Sequence, residues 1–255
     1  MNKKRIGIAL GGGGTRGFAH LGALKALEEN GIVPDIISGT SAGAIIGSLL
    51  ATGKSPDEIF DVIRENKLTD FAKISLPTNG FMSLDHLQTQ FESLIPGDDF
   101  SKLDRPLYVA VTNLLTGKVE YLSEGSVSLA VKASSSIPIL FSPVEINGQW
   151  YVDGGLLDNL PVEPLLGQCS KIIAIDIMPL EKMEKVEGLP EIAARSFQIS
   201  VRGHKEERTK TCDLVLRLEE LVGYHILDTD HVDEIFNIGY KHTLEQDLSA
   251  FTAEE

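Results

Sequence analysis

The chain has 255 residues, 42% of them hydrophobic and 24% charged, which is enough apolar material for one large core. Its formal charge of −14, from 23 Lys and Arg against 37 Asp and Glu, argues against nucleic acid as a partner and against adsorption to anionic membranes by charge alone. Two cysteines, Cys169 and Cys212, lie far apart with no CxxC or CxxH spacing, which counts against a disulfide framework and a zinc site.

The opening "MNKKRIGIALGGGG" is basic, but glycines interrupt its apolar run, so it does not read as a signal peptide. No later stretch reaches the roughly 18 apolar residues of a membrane span, and a cytoplasmic location is the expectation. "RIGIAL" (5–10) predicts a buried strand ended by glycines. Phe18, Leu21, Leu24 and Leu27 recur at helical spacing in 17–31, with Asn30-Gly31 as the stop. "VPDIISG" (33–39) predicts a second strand, and "SAGAIIGSLLATG" (41–53) an apolar helix closed by Gly53. Ser55 as N-cap and Pro56 at the first position open another helix at 55–66.

This alternation of strand and helix predicts an α/β fold, a central and mostly parallel sheet with helices on both faces. Further strands are expected at 107–114, 118–123, 171–177 and 213–218, and a hairpin at 143–155 turning on Asn147-Gly148. Residues 190–210 and 231–248 read as helices with a polar face. The irregular segment 65–105 is a candidate lid, and with no repeat or long linker the chain reads as a single domain, 1–255.

Two glycine-containing loops carry the chemistry. "GGGGTRG" (11–17) lies between the first strand and the first helix, where backbone amides and the helix N-terminus suit an anion. Gly12, Gly14 and Gly17 match G-x-G-x-x-G, so a dinucleotide pyrophosphate, an acyl-transfer oxyanion and a purely structural turn all remain open. The acidic residue wanted at the end of the second strand is missing, which counts against NAD. That strand runs instead into Gly39-Thr40-Ser41-Ala42-Gly43, a G-x-S-x-G pattern in the strand–turn–helix context of a nucleophilic serine.

A serine needs a base. His20 and His86 lie on helical patterns, His204 and His242 fall in expected helices, and none of the six histidines, His225 and His231 included, sits in a loop of small residues. Asp153 ends the "QWYVD" strand and is followed by Gly154-Gly155, which would let its carboxylate stand clear near a neighbouring backbone. "KASSSIPILFSPV" (132–144) reads as a close-packed helix end, with Ile137, Ile139, Leu140 and Phe141 as candidate acyl-pocket residues. Trp150 and Tyr151 read as core aromatics.

In this order the glycine loop, the G-x-S-x-G, the "KASSSIPILFSPV" segment and the Asp-Gly-Gly resemble the patatin-like phospholipase family. The likeness is to its compact bacterial members, related to the neuropathy target esterase catalytic domain, over roughly residues 5–180. The resemblance implies a three-layer α/β/α fold and a serine acyl hydrolase of phospholipase A or lysophospholipase type. It implies Ser41 as nucleophile, Asp153 as its proton acceptor without a histidine, and the amides of Gly12, Gly13 and Gly14 as the oxyanion hole. It also implies a lipid or fatty-acyl ester substrate, transient contact with a membrane surface, and no cofactor or metal. Arg16 is a regular feature of that loop and receives no catalytic step. Acyl transfer to another acceptor, and a regulatory or adaptor protein that keeps the fold, are the competing readings.

Overall fold

The computed structural model describes residues 5–65, 84–179, 185, 187–201, 208–226 and 229–252. Eight strands form one sheet: β1 (Ile6–Leu10), β2 (Ile36–Gly39), β3 (Leu107–Asn113), β4 (Lys118–Leu122), β5 (Val144–Ile146), β6 (Gln149–Asp153), β7 (Lys171–Asp176) and β8 (Leu214–Arg217). The described helices are α1 (Phe18–Glu29), α2 (Ala42–Ala51), α3 (Pro56–Glu65), α4 (Asp85–Leu94), α5 (Val127–Ser134), α6 (Leu189–Ser200), α7 (Val232–Leu244) and the short α8 (Ser249–Thr252).

Strands β3, β2, β1, β7 and β8 lie side by side and parallel, while β4, β5 and β6 pair antiparallel, so the sheet is mixed and flanked by helices. Alternation of side chains across the pleat divides the core. Ile8, Leu10, Ile173, Ile175 and Leu216 face a large cluster shared with α1, α2 and α5. Ala9, Ile172 and Ala174 face a smaller one closed by Leu160, Val162 and Leu165.

Strand β3 organises the site. Val109 pairs with Gly39 of β2 and with Leu122 of β4, while Val111 pairs with Asp153 of β6 and with Glu120 of β4. A strand has two edges, and β4 occupies one of them. Therefore β2 and β6 share the other, running toward each other and ending at Gly39 and Asp153 with only Ala110 between their partners. The chain leaves both ends at the same point of the sheet.

Local signals hold up well. Ser55 and Glu58 form a reciprocal cap at α3, the Ser55 N–H donating to Glu58 Oε2 at 2.8 Å and the Glu58 N–H to Ser55 Oγ at 3.3 Å. Asn147 and Gly148 take φ of 52° and 77°, the paired positive values of a two-residue hairpin turn. Within the expected lid, residues 66–83 lie outside the described ones. The part that follows belongs to the core, where Leu87 and Phe91 of α4 are buried. For the expected helix at 190–210, residues 202–207 and with them His204 lie outside the described residues.

Helix α7 packs on α1 with almost no space between the backbones. A Cβ on Gly22 would stand 1.9 Å from Phe236 O, and one on Gly239 2.0 Å from Ala19 O. This contact buttresses the helix that follows the glycine loop.

Candidate active site

Ser41 sits on the sharp turn between β2 and α2 with φ 52° and ψ −118°, a conformation that costs a non-glycine residue about 1–3 kcal/mol. The residues two places before and after it must be glycine because backbones meet there. A Cβ on Gly43 would lie 2.0 Å from Leu10 O, and one on Gly39 2.4 Å from Gly43 O. The strained turn presents Ser41, half-buried, at the positive N-terminal end of α2. Ser134 holds it from below: the Ser41 N–H donates to Ser134 Oγ at 2.9 Å, and that hydroxyl donates to Ala110 O at 2.7 Å.

Asp153 arrives from the other side of Ala110. Rather than standing clear of its loop, its side chain is wholly buried. Oδ1 accepts the Gly155 N–H at 2.8 Å, while Oδ2 has no hydrogen-bond partner among the described residues. Burial pushes the carboxyl up to about 7, against the opposing pull of the Gly155 amide and of the nearby Ser41 hydroxyl. The hydroxyl thus lies close enough to favour the ionised carboxylate without completing a hydrogen bond of ordinary geometry.

The glycine loop lies against Ser41, since a Cβ on Gly12 would come within 3.2 Å of Ser41 Cβ. Its peptides are pinned in turn. His20 Nε2 binds Gly11 O at 2.7 Å, the Gly12 N–H donates to Asn159 O at 3.1 Å, and Asn159 Nδ2 donates to Gly12 O at 3.2 Å. The Gly12 amide is therefore engaged, and of the expected trio Gly13 and Gly14 are the ones whose N–H groups find no partner among the described residues. Because a trans peptide points its C=O and N–H in opposite directions, fixing Gly12 O turns the Gly13 N–H away from Asn159. Gly14 follows at φ 59°, where a Cβ would strike Ile226 O at 2.0 Å.

A cleft of about 690 Å³, mouth included, opens beside Ser41 and is walled largely by Phe18, Ile45, Ile46, Ile63, Ile137 and Phe141. Ile137 and Phe141 were expected there. Leu140 does not line it, and Ile139 points to solvent, 67% exposed at a φ of 74°. No histidine stands among the lining residues. Of the described ones, His20 is buried and neutral, held by burial down at about 4, and His242 pairs with Glu220 at 2.9 Å.

Residues 8–166 match the family model described as patatin-like phospholipase. The chain belongs to that family.

Among patatin-like relatives, an uncharacterized NTE family protein of Mycobacterium tuberculosis is 29% identical over 202 residues, covering 78% of this chain and 56% of the relative. The lysophospholipase nte1 of Aspergillus fumigatus is 28% identical over 269 residues, covering 93% of this chain but 18% of its own length. The chain thus spans about half of the mycobacterial relative and under a fifth of the fungal one. The crystal structure of VipD from Legionella pneumophila shares the fold with a TM-score of 0.53 at 16% identity, covering 95% of this chain and 66% of that one.

Several residues that shape this patatin-like site carry no chemical signal in the sequence. Asn159 belongs to no motif, and Ser134 lies in a segment that reads only as a close-packed helix end. Asp158, buried and bound by Arg208 at 2.5 Å and Tyr121 at 2.7 Å, offers its backbone carbonyl to Thr40 Oγ1 at 2.9 Å. Residues 158–159 therefore grip both the glycine loop and the Ser41 turn. Arg16 is buried and structural in its contacts: its Nε donates to Tyr224 O at 2.8 Å and Nη1 to Pro179 O at 3.3 Å. Among the described residues no group of three or more His, Cys, Asp or Glu side chains could hold a metal ion, and no helix is long and apolar enough to cross a membrane.

Proposed function

We propose that this chain is a serine acyl hydrolase that cleaves carboxylic ester bonds of lipids through an acyl-Ser41 intermediate. The observation that carries the reading is the meeting of a strained serine and a buried, unpaired carboxylate oxygen beside an apolar cleft. The ionised Asp153 carboxylate takes the Ser41 proton as Oγ attacks the ester carbonyl carbon. The carbonyl oxygen becomes an oxyanion, for which the Gly13 and Gly14 amides are the available donors. Collapse breaks the C–O bond to the alcohol, which leaves with the proton from Asp153. Water then attacks the acyl-serine, gives its proton to Asp153, and the proton returns to Ser41 Oγ as the free acid departs.

An aspartate at its ordinary pKa is a poor base at neutral pH, and burial of Asp153 supplies the missing basicity. The apolar lining suits an acyl chain. The fungal relatives' name points to lysophospholipids as the first substrates to try. The test is a fluorophosphonate probe followed by peptide mapping, with fatty-acid release from lysophosphatidylcholine measured in parallel. Modification at Ser41, together with acid release lost in Ser41→Ala and Asp153→Asn, is the expected result. Labelling confined to another residue would remove the assignment.

A further inference from the structure

The three serines that end α5 are used in different ways. Ser134 binds the Ser41 N–H through its hydroxyl at 2.9 Å. Ser136 accepts the Asp153 N–H on its carbonyl at 2.9 Å, while its own hydroxyl donates to Lys132 O at 2.8 Å. Both outer serines are thus fastened to the two groups at the centre of the proposed chemistry. Ser135 stands between them, held by its N–H on Val131 O at 3.0 Å.

Ser135 is only 9% exposed and lines the cleft, yet its buried hydroxyl has no hydrogen-bond partner among the described residues. Buried hydroxyls are ordinarily satisfied, because leaving one bare forfeits its hydration without return. The other hydroxyl side chains in the lining are occupied or assigned: Thr15 Oγ1 donates to His225 O at 3.2 Å, and Ser41 is the proposed nucleophile. The wall around Ser135 is otherwise apolar, so the group its hydroxyl would meet comes with the substrate.

We propose that Ser135 is a further catalytic residue whose hydroxyl donates a hydrogen bond to the leaving-group oxygen of the ester. This rests on the hydrolase reading above. The carbonyl oxygen has main-chain donors in the glycine loop. The alkoxy oxygen gains negative charge as its bond to carbon stretches, and apart from the Asp153 proton no other group has been assigned to it. Ser135 keeps its own proton throughout; the proton that departs with the alcohol comes from Asp153. In the second half of the cycle the attacking water takes the place of the alcohol and meets the same hydroxyl.

The experiment compares Ser135→Ala and Ser135→Thr with the wild type on esters of one fatty acid whose leaving groups run from nitrophenol to simple alkyl alcohols. The quantity read is kcat/KM, which reports acylation. A hydrogen bond to a charged oxygen predicts a loss of about 10- to 100-fold in Ser135→Ala on alkyl esters. The loss shrinks toward none on nitrophenyl esters, whose leaving group needs little help. Ser135→Thr, which retains a hydroxyl, recovers most of the alkyl activity. The Tm of Ser135→Ala stays equal to or above that of the wild type, since a bare buried hydroxyl has been removed. An equal loss across the series, or none, overturns the role of Ser135 while leaving the hydrolase reading intact. A wild type that releases acid from no ester and is not labelled at Ser41 overturns both.

Discussion

Asn159 and Gly12 bind each other twice: the Gly12 N–H donates to the Asn159 carbonyl at 3.1 Å, and Asn159 Nδ2 donates to the Gly12 carbonyl at 3.2 Å. The second bond sets the plane of the Gly12–Gly13 peptide and hence the direction of the Gly13 N–H. Asn159→Asp replaces the donor with a carboxylate that repels Gly12 O. If the Gly13 amide serves the oxyanion, kcat falls by about 10²–10³-fold with KM little changed. Steady-state kinetics on a short-chain ester, with circular dichroism to confirm folding, checks this. A change in KM alone would show that Asn159 acts on binding instead.

The protonation of Asp153 sets a pH profile. With its pKa raised to about 7, Asp153 can serve as the proposed base only above that pH, so log kcat/KM should climb with unit slope up to about pH 7 and then level. Asp153→Asn should lower kcat/KM by about 10²–10⁴-fold and abolish this dependence.

Stability should respond to the same group with the opposite sign. Between 3.8 and about 7 the native state holds a proton on Asp153 that the unfolded chain has released, so stability falls as pH rises through that window. His20, held neutral down to about 4 against its ordinary 6.5, works the other way, since the unfolded chain takes up the proton first as pH drops. From about pH 4 to 6.5 the two offset each other. Asp153→Asn removes one of them, and the variant should gain on the order of 4 kcal/mol at pH 8 and none at pH 3. Urea unfolding at the two pH values measures the difference. A variant no more stable than the wild type at pH 8 would mean that Asp153 titrates near its ordinary value.

Ser41→Gly should raise stability while ending turnover. The φ of 52° at Ser41 is natural for glycine and strained for serine, so relief of about 1 kcal/mol is expected, less what glycine adds to the entropy of the unfolded chain. Thermal unfolding beside an activity assay reads both effects.

Gly43→Ala tests the close approach of α2 to β1. Its methyl would stand 2.0 Å from Leu10 O, a backbone atom with no room to yield. A loss of about 1–3 kcal/mol is expected from overpacking. Fluorophosphonate labelling should slow as well, because Ser41 rides on the displaced helix.

Much of this architecture was legible because its signals are local. Strands β1 and β2 are short β-branched runs beside glycine or proline, and the Ser41 turn declares itself through glycines that sterics demand. Contacts between distant segments left no such trace. Asn159 looks like any turn asparagine until Gly12 is beside it, and Ser135 like any helix-end serine until the cleft opens over it. Trp150 was expected in the core beside Tyr151, yet it is 42% exposed, because alternation along β6 sends Tyr151 inward and its neighbour outward. That β6 arrives antiparallel on the edge already used by β2 follows from no pattern in either strand.

This shared edge has a consequence for how the protein can vary. With strand ends from both β2 and β6 bonded to β3, the spacing of the Ser41 turn and Asp153 is counted off in steps of about 3.3 Å along one strand. Inserting or deleting a single residue near Ala110 would shift one partner by a full step and reverse which way every later β3 side chain faces. The middle of β3 is thus a gauge block for the site, tolerant of exchanges that preserve its length and closed to indels.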